Sequence, residues 1–255
     1  MDIKITAIEA AKEAGSVLIE LFQDKSKKYE MKNNLDILAE ADLKSEKIII
    51  EHIKKSFPDH SILSEEKGEE KGSSDFRWII DPVDGTINFS RGIEEFCISI
   101  AVERDKKLIL GLIYNPLQSK FYVAEKDKGA FLNEQKIHVS KEKEIINTIL
   151  ATDNSSNIDA RIKNYDILAK ICTQVRHIRI FGSGALHLAR IAAGEIDAYY
   201  KTKLNYWDYG AGVLIVKEAG GKITDFSGNM ISESSKDIVA SNGVVHDQVL
   251  KLLNT

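Results

Sequence analysis

The sequence predicts an α+β fold, an antiparallel sheet packed on two opening helices and followed by an α/β half, and three features predict it. Two early stretches repeat apolar residues at helical spacing, a middle stretch breaks into short apolar runs separated by turn residues, and beyond about residue 145 strands alternate with helices. The 255 residues are 43% hydrophobic and 29% charged, enough apolar content for a sizeable core in one or two closely packed domains.

The first helix is expected from Ile3 to about Tyr29, with Ile8, Ala11, Gly15, Leu18 and Phe22 on one face. A second runs from Asp42 to about Phe57 through Ile48, Ile49 and Ile53. Between them, residues 31–41 are polar and carry Asn33 and Asn34, which marks an exposed loop able to move. After Pro58, strands are expected at residues 62–63, 78–80, 97–102, 108–114 and 121–124. Turns at Asp105 with Lys106 and at Asn115 with Pro116 favour an antiparallel sheet packed on the first helices. Strands at 149–152, 178–181 and 198–200 then alternate with helices near 158–172, 185–193 and 207–219. The halves divide near residue 140, into 1–140 and 141–255, and without a Pro- or Gly-rich linker they should share a large interface.

A formal net charge of −4 argues against a nucleic-acid or anionic-membrane partner, because both need a concentrated positive field. No basic stretch leads into a long apolar run, so neither a signal peptide nor a membrane anchor is expected. Cys97 and Cys172 lie far apart among apolar neighbours, which fits buried, reduced thiols of a cytoplasmic protein.

The strongest chemical signal is Asp81-Pro82-Val83-Asp84-Gly85-Thr86, placed directly after the apolar strand ending Trp78-Ile79-Ile80. Pro82 suits the second position of a tight turn, which would bring Asp81 and Asp84 to one side with the Val83 carbonyl between them. Hard cations bind such oxygens. Gly85 permits close backbone approach, and a helix starting there would aim free amides at an anion. Aspartates after strands also cap turns and helices, so three further acids matter. Glu65 follows a short strand, Asp208 opens an apolar helix, and Asp42 opens the second helix; each alone also reads as a solvated charge or a first-turn acid. The histidines at 52, 60, 138, 177, 187 and 246 show no metal-ligand spacing. No phosphate-binding Gly-Lys-Ser/Thr loop, dinucleotide fingerprint or nucleophile elbow is present, since Phe181 stands where the elbow around Ser183 needs glycine.

These residues resemble the inositol monophosphatase family, lithium-sensitive, metal-dependent phosphatases that include fructose-1,6-bisphosphatases and 3'-phosphoadenosine-5'-phosphate phosphatases. The resemblance covers nearly the whole chain. It is carried by Leu63-Ser64-Glu65-Glu66, by WIIDPVDGTINF at 78–89, by GAFLN at 129–133 and by WDYGAGVLIVKEAGG at 207–221. It implies a layered αβαβα sandwich and a phosphomonoesterase using two or three Mg²⁺. Glu65, Asp81 and the Val83 carbonyl would hold one ion, Asp81, Asp84 and Asp208 a second, and Glu65 would help with a third. Gly85 and Thr86 amides would receive the phosphate, and the Thr86 hydroxyl paired with Asp42 would orient and help deprotonate the attacking water. Ser183 and Gly184 become candidates for lining the substrate pocket, beside the plain reading of a capped helix start.

One position departs from the animal-type pattern. Seven residues before Asp208, where an acid hydrogen-bonds inositol hydroxyls, this chain has Lys201. A lysine only donates and favours an anion, so with Lys203 it would suit a second phosphate, as in fructose 1,6-bisphosphate; a solvated surface lysine is the alternative. The expected partner is therefore a small phosphorylated metabolite, inositol 1-phosphate or fructose 1,6-bisphosphate, in a cytoplasmic homodimer. The alternatives are a 3'-phosphoadenosine-5'-phosphate phosphatase or a mainly regulatory binding protein of the same fold.

Overall fold

The computed structural model describes residues 2–24, 29–31 and 37–254. Helix α1 (Ile3–Gln23) begins where the Asp2 carboxylate accepts the amides of Lys4 and Ile5, at 2.8 and 3.1 Å. It ends six residues or so short of the expected Tyr29, because Tyr29 already belongs to β1 (Tyr29–Met31), which pairs antiparallel with β2 (Ile37–Ala39). Helix α2 (Glu40–Ser56) follows at once. The expected 31–41 loop is thus strand at Met31, strand again over 37–39 and helix from Glu40; residues 32–36 lie outside the described residues. The buried stripe of α1, Ala7, Ala10, Ala11, Ala14 and Leu18, is mostly alanine, which lets α2 lie close against it.

Eight strands form the first sheet: β3 (Ser61–Ser64), β4 (Gly68–Glu70), β5 (Phe76–Asp84), β6 (Cys97–Arg104), β7 (Lys107–Asn115), β8 (Lys120–Glu125), β9 (Gly129–Leu132) and β10 (Gln135–Ile137). Their order is β10-β9-β8-β7-β6-β5-β3-β4. The sheet is antiparallel except for one pair, β3 with β5, which run parallel. The exception has a simple cause. The β3–β4 hairpin places β4 on the outer edge, so the chain crosses back and enters β5 in the direction of β3.

The second sheet, of β11 (Ile149–Thr152), β12 (His177–Arg179), β13 (Ala198–Thr202), β14 (Lys222–Thr224) and β15 (Asp237–Ser241), has the order β12-β11-β13-β15-β14. Alternation along the strands sorts side chains into three cores. On β5, Trp78 and Ile80 face α1 and α2, while Ile79 faces the centre; on β13, Tyr199 faces the centre, while Ala198 and Tyr200 face outward. The central layer holds α5 (Gly184–Ala192) and α6 (Tyr206–Glu218), and the far face carries α4 (Ile158–Ile171) and α7 (His246–Leu253). The order is helix, sheet, helix, sheet, helix. Sheets cover both sides of α6, and its run from Tyr209 through Val216 is buried on every side.

Further differences from the sequence reading are the short strands β4, β9 and β10, which no expected strand covers. The segment beyond Gly221, which supplies β14, β15 and α7, carries no expected element, since its apolar runs are short and its turns frequent. Cys97 is buried as expected, but Cys172 is exposed, because it caps the C-terminus of α4 where the helix leaves the core.

Candidate functional site

The parallel pairing of β3 with β5 sets Ser64 opposite Ile80, so Glu65 leaves the end of β3 beside Asp81, which continues in β5. The Glu65 amide donates to the Ile80 carbonyl at 3.3 Å. From α2, the buried Glu46 carboxylate accepts the amides of Glu66 and Lys67 at 3.1 and 3.2 Å, which fixes the turn carrying Glu65.

At Pro82 the chain does not make the expected tight turn. Strand β5 continues to Asp84, and two residues, Pro82 and Val83, stand against Ile98 alone, between the pairs Asp81 with Ser99 and Asp84 with Cys97. A bulge suits proline, which has no amide to give the ladder. Ser45 of α2 donates to the Pro82 carbonyl at 2.9 Å and the Val83 amide donates to Asp81 Oδ1 at 3.1 Å, so the bulge is pinned from both sides.

The backbone then enters a short helix, α3 (Thr86–Ser90), through Gly85 at φ 98°. A Cβ at Gly85 would lie 2.7 Å from the Glu95 carbonyl, so both its conformation and its neighbour demand glycine. The Thr86 hydroxyl reaches the Val83 carbonyl at 2.9 Å and Asp42 Oδ1 at 3.3 Å. Asp42 stands in the first turn of α2 and is only 1% exposed.

Asp84 points to the other half of the chain. Its Oδ2 accepts the Ser183 hydroxyl at 2.5 Å and the Ala185 amide at 2.7 Å, and its Oδ1 accepts the Gly184 amide at 3.3 Å. Ser183 also caps α5 by accepting the Leu186 amide at 3.3 Å. Ser183 therefore caps a helix, as the plain reading has it, while its hydroxyl proton goes to Asp84.

Asp208 occupies the first turn of α6, with Oδ2 on the Asn205 amide at 2.7 Å. Lys201 lies half-buried on β13, two residues from Tyr199 and on the same face. Around the point where a Gly184 side chain would begin, the Tyr199 hydroxyl lies at 3.2 Å, Lys201 Nζ at 3.9 Å and the Asp208 carbonyl at 4.0 Å. Lys203, by contrast, is exposed.

The acids repel one another. Burial, then Glu65, Asp84, Asp208 and Asp42, push the Asp81 carboxyl well above its usual range. Burial raises Asp84 against the pull of the Ser183 hydroxyl, the Lys201 ammonium and the Ala185 amide. Burial pushes Asp208 up to about 6, with Lys201 pulling the other way. Among the described residues no three His, Cys, Asp or Glu side chains stand in coordination geometry, since Asp84 and Asp208 are turned onto protein donors. The donor set nonetheless fits Mg²⁺: its oxygens come from carboxylates and a carbonyl, and the clustered negative charge is short of counter-charge.

Asp42, Glu65, Asp81, Val83, Asp84, Gly85, Thr86, Ser183, Lys201 and Asp208 therefore meet in one region, drawn from both sheets and from α2, α3, α5 and α6. The sequence reading passed over Asp153 and Asn88. Asp153 follows β11, 3% exposed, and accepts the Gly182 amide at 2.8 Å and the Tyr199 hydroxyl at 3.0 Å; an acid after an apolar strand is the same signal that singles out Asp81. Asn88 donates to the Glu95 and Phe181 carbonyls at 2.7 and 2.6 Å, tying α3 to the α5 segment, and no local pattern announces that role.

The model of the inositol monophosphatase family matches residues 2–255. A fructose-1,6-bisphosphatase/inositol-1-monophosphatase of Thermotoga maritima is 41% identical over 219 residues, 86% of this chain and 83% of that one. The Nus factor SuhB of Salmonella typhimurium is 35% identical over 239 residues, 92% and 90% of the two chains. Among solved structures, the extragenic suppressor protein suhB of Bartonella henselae superposes with a TM-score of 0.95 at 34% identity, covering 99% of this chain and 98% of that one. An IMPase of Thermotoga maritima gives 0.92 at 36% identity, covering 100% and 97%.

Proposed function

This chain belongs to the inositol monophosphatase family and is a phosphoric monoester hydrolase, and from that premise we propose that it removes phosphate from a small sugar or inositol phosphate with Mg²⁺ held by the acid cluster. The observation that carries the reading is the crowding of Glu65, Asp84, Asp208 and Asp42 around the buried Asp81 carboxyl.

In this reading Glu65, Asp81, the Val83 carbonyl, Asp84 and Asp208 are the metal ligands. Bound there, the ions would supply positive charge to the phosphoryl and leaving-group oxygens and lower the pKa of water. The chain's own residues do the rest. The Gly85 and Thr86 amides, at the start of α3, receive phosphoryl oxygens. Asp42 accepts the Thr86 hydroxyl proton while the freed lone pair of Thr86 takes a proton from the attacking water, so the water is oriented and deprotonated by one relay. Lys201 supports a preference for substrates with a second anionic group, such as fructose 1,6-bisphosphate, and the Thermotoga relative carries both names.

The test is phosphate release from inositol 1-phosphate, fructose 1,6-bisphosphate and 3'-phosphoadenosine 5'-phosphate with Mg²⁺, by wild type and Asp81→Asn. Activity unaffected by Asp81→Asn sinks the site. Lys201→Ala should lower bisphosphate hydrolysis more than monophosphate hydrolysis.

The relatives named Nus factor favour a second reading, a binding role beside catalysis. A cell in which Asp81→Asn replaces the wild type without loss of growth or gene control would favour binding over hydrolysis. Assembly as a homodimer belongs to the same reading. Ile158, Ile162 and Tyr165 are exposed at helical spacing on α4, an apolar strip that a second copy could cover, and light scattering decides it. Among the described residues no helix is long and apolar enough to cross a membrane.

A further inference from the structure

Lys201 occupies an unusual place for a lysine. Strands β11 and β13 pair in parallel with Thr152 opposite Tyr200, so the next positions, Asp153 and Lys201, adjoin. Both lie on the face of the sheet that carries Ala151 and Tyr199 toward the central helices. Asp153 is held there by the Tyr199 hydroxyl at 3.0 Å, the Gly182 amide at 2.8 Å and His187 Nδ1 at 3.1 Å. The His187 ring stacks on Tyr199 with centroids 4.6 Å apart, closing α5 over that face.

Gly184 lies against the ammonium, since a side chain there would start 3.9 Å from Lys201 Nζ, an ordinary contact, and 3.2 Å from the Tyr199 hydroxyl, a tight one. The amide of the same Gly184 holds Asp84, and the Asp208 carbonyl lies beside it. Lys201 therefore adjoins Asp153 by register and lies within electrostatic reach of Asp84, Asp208 and Asp81. Despite burial, Asp153, Asp208, Asp84 and Asp81 together keep its ammonium above the usual lysine range, so it is charged at all working pH values.

We propose that the Lys201 ammonium is the resident counter-ion of the acid cluster: it neutralises Asp84 and Asp208 when divalent ions are absent and weakens their binding when they arrive. This rests on the metal-site reading above and adds to it a device that lets the folded chain tolerate an empty site. A fixed positive charge stabilises the metal-free protein by offsetting carboxylate repulsion. It also repels an incoming divalent ion, enough over several ångströms to change affinity roughly five- to tenfold. Asp153 sets the balance by drawing part of that charge away from the site.

The experiment compares wild type with Lys201→Gln by calorimetric titration of Mg²⁺ and by melting in chelator and in saturating Mg²⁺. Lys201→Gln should melt lower than wild type in chelator, match it in saturating Mg²⁺ and bind Mg²⁺ about five- to tenfold more tightly. Lys201→Arg should restore wild-type behaviour, and Lys170→Gln, which removes the same charge from an exposed position on α4, should change nothing. Equal loss of stability with and without Mg²⁺ would mean that Lys201 is only a packing residue and overturns the proposal, as would unchanged or weaker affinity. Should Lys201→Gln fail to fold, Asp153→Asn carries the test, because returning the full ammonium charge to the cluster must weaken Mg²⁺ binding. A wild type that takes up no Mg²⁺ overturns the metal site itself, an outcome distinct from an affinity that Lys201 does not influence.

Discussion

The Ser183 hydroxyl donates to Asp84 Oδ2 at 2.5 Å, joining residues 99 positions apart and fastening the end of β5 to the start of α5. Removing that hydroxyl has two separable effects. Ser183→Ala loses the cap of α5, which costs about 1 kcal/mol, and frees Asp84 to leave the orientation set by α5. Phosphate release should fall about tenfold at low Mg²⁺, as expected for loss of a partner that orients a ligand, and recover in part at high Mg²⁺. Titrating activity against Mg²⁺ for the variant and for Ser183→Thr checks this, with threonine retaining most function.

The Asp42 and Thr86 pair predicts a different pattern. Thr86→Val and Asp42→Asn should each lower kcat about a hundredfold or more with little change in KM, since they act on proton movement rather than on holding substrate. The double variant should be hardly worse than either single one, because both remove one relay. Additive losses in steady-state kinetics would count against the relay.

Backbone geometry predicts a third set. Gly85→Ala must hold φ 98° and place a Cβ 2.7 Å from the Glu95 carbonyl. Gly182→Ala, at φ 81°, would meet the Asn88 side chain at 2.7 Å and displace the amide that ties α3 to Phe181. Each should lose about 1–3 kcal/mol of stability. Gly85→Ala should in addition weaken inhibition by inorganic phosphate, while Gly68→Ala, with open space around its Cβ but φ 74°, isolates the cost of conformation alone. Chemical denaturation and phosphate inhibition give the two readouts.

The raised Asp208 carboxyl sets a pH dependence. Its folded value of about 6 exceeds the ordinary 3.8, so between these values the folded protein binds more proton than the unfolded chain. The Asp208 contribution to stability is therefore favourable at low pH and lost as pH rises toward 6. In chelator, the melting temperature of Asp208→Asn minus that of wild type should climb from pH 4 to pH 6 and level off above it. Saturating Mg²⁺ should remove that climb, because the ion favours the ionised carboxylate.

The site was legible where chemistry is local and hidden where it depends on register. The acids of the Asp81 to Thr86 run stand out because they follow an apolar strand and precede a glycine, and Trp207-Asp208 opens an evident apolar helix. The bulge at Pro82 was misread as a turn, since a single strand does not reveal how many residues its neighbour sets against it. The parallel course of β3, a strand of four residues, likewise depends on β4 taking the sheet edge, and that course is what brings Glu65 beside Asp81. Asp153 carries the local signal of an acid after an apolar strand, but its meaning lies in adjoining Lys201 across two strands 48 residues apart in the chain, the offset of the pair Thr152 with Tyr200. The opening helices, the first sheet and the later alternation of strands with helices followed from apolar periodicity, and the layer order from the family resemblance; the last strands and α7 followed from neither, because short apolar runs among frequent turns carry no clear period.

Cys97 is wholly enclosed, with its sulfur 3.8 Å from Asp84 Oδ2, whereas Cys172 is open to solvent. A maleimide dye should accordingly count one thiol in the intact molecule and two after denaturation. With Cys172 replaced by serine, the speed of the remaining labelling reaction becomes a clock for how often the chain parts around Asp84.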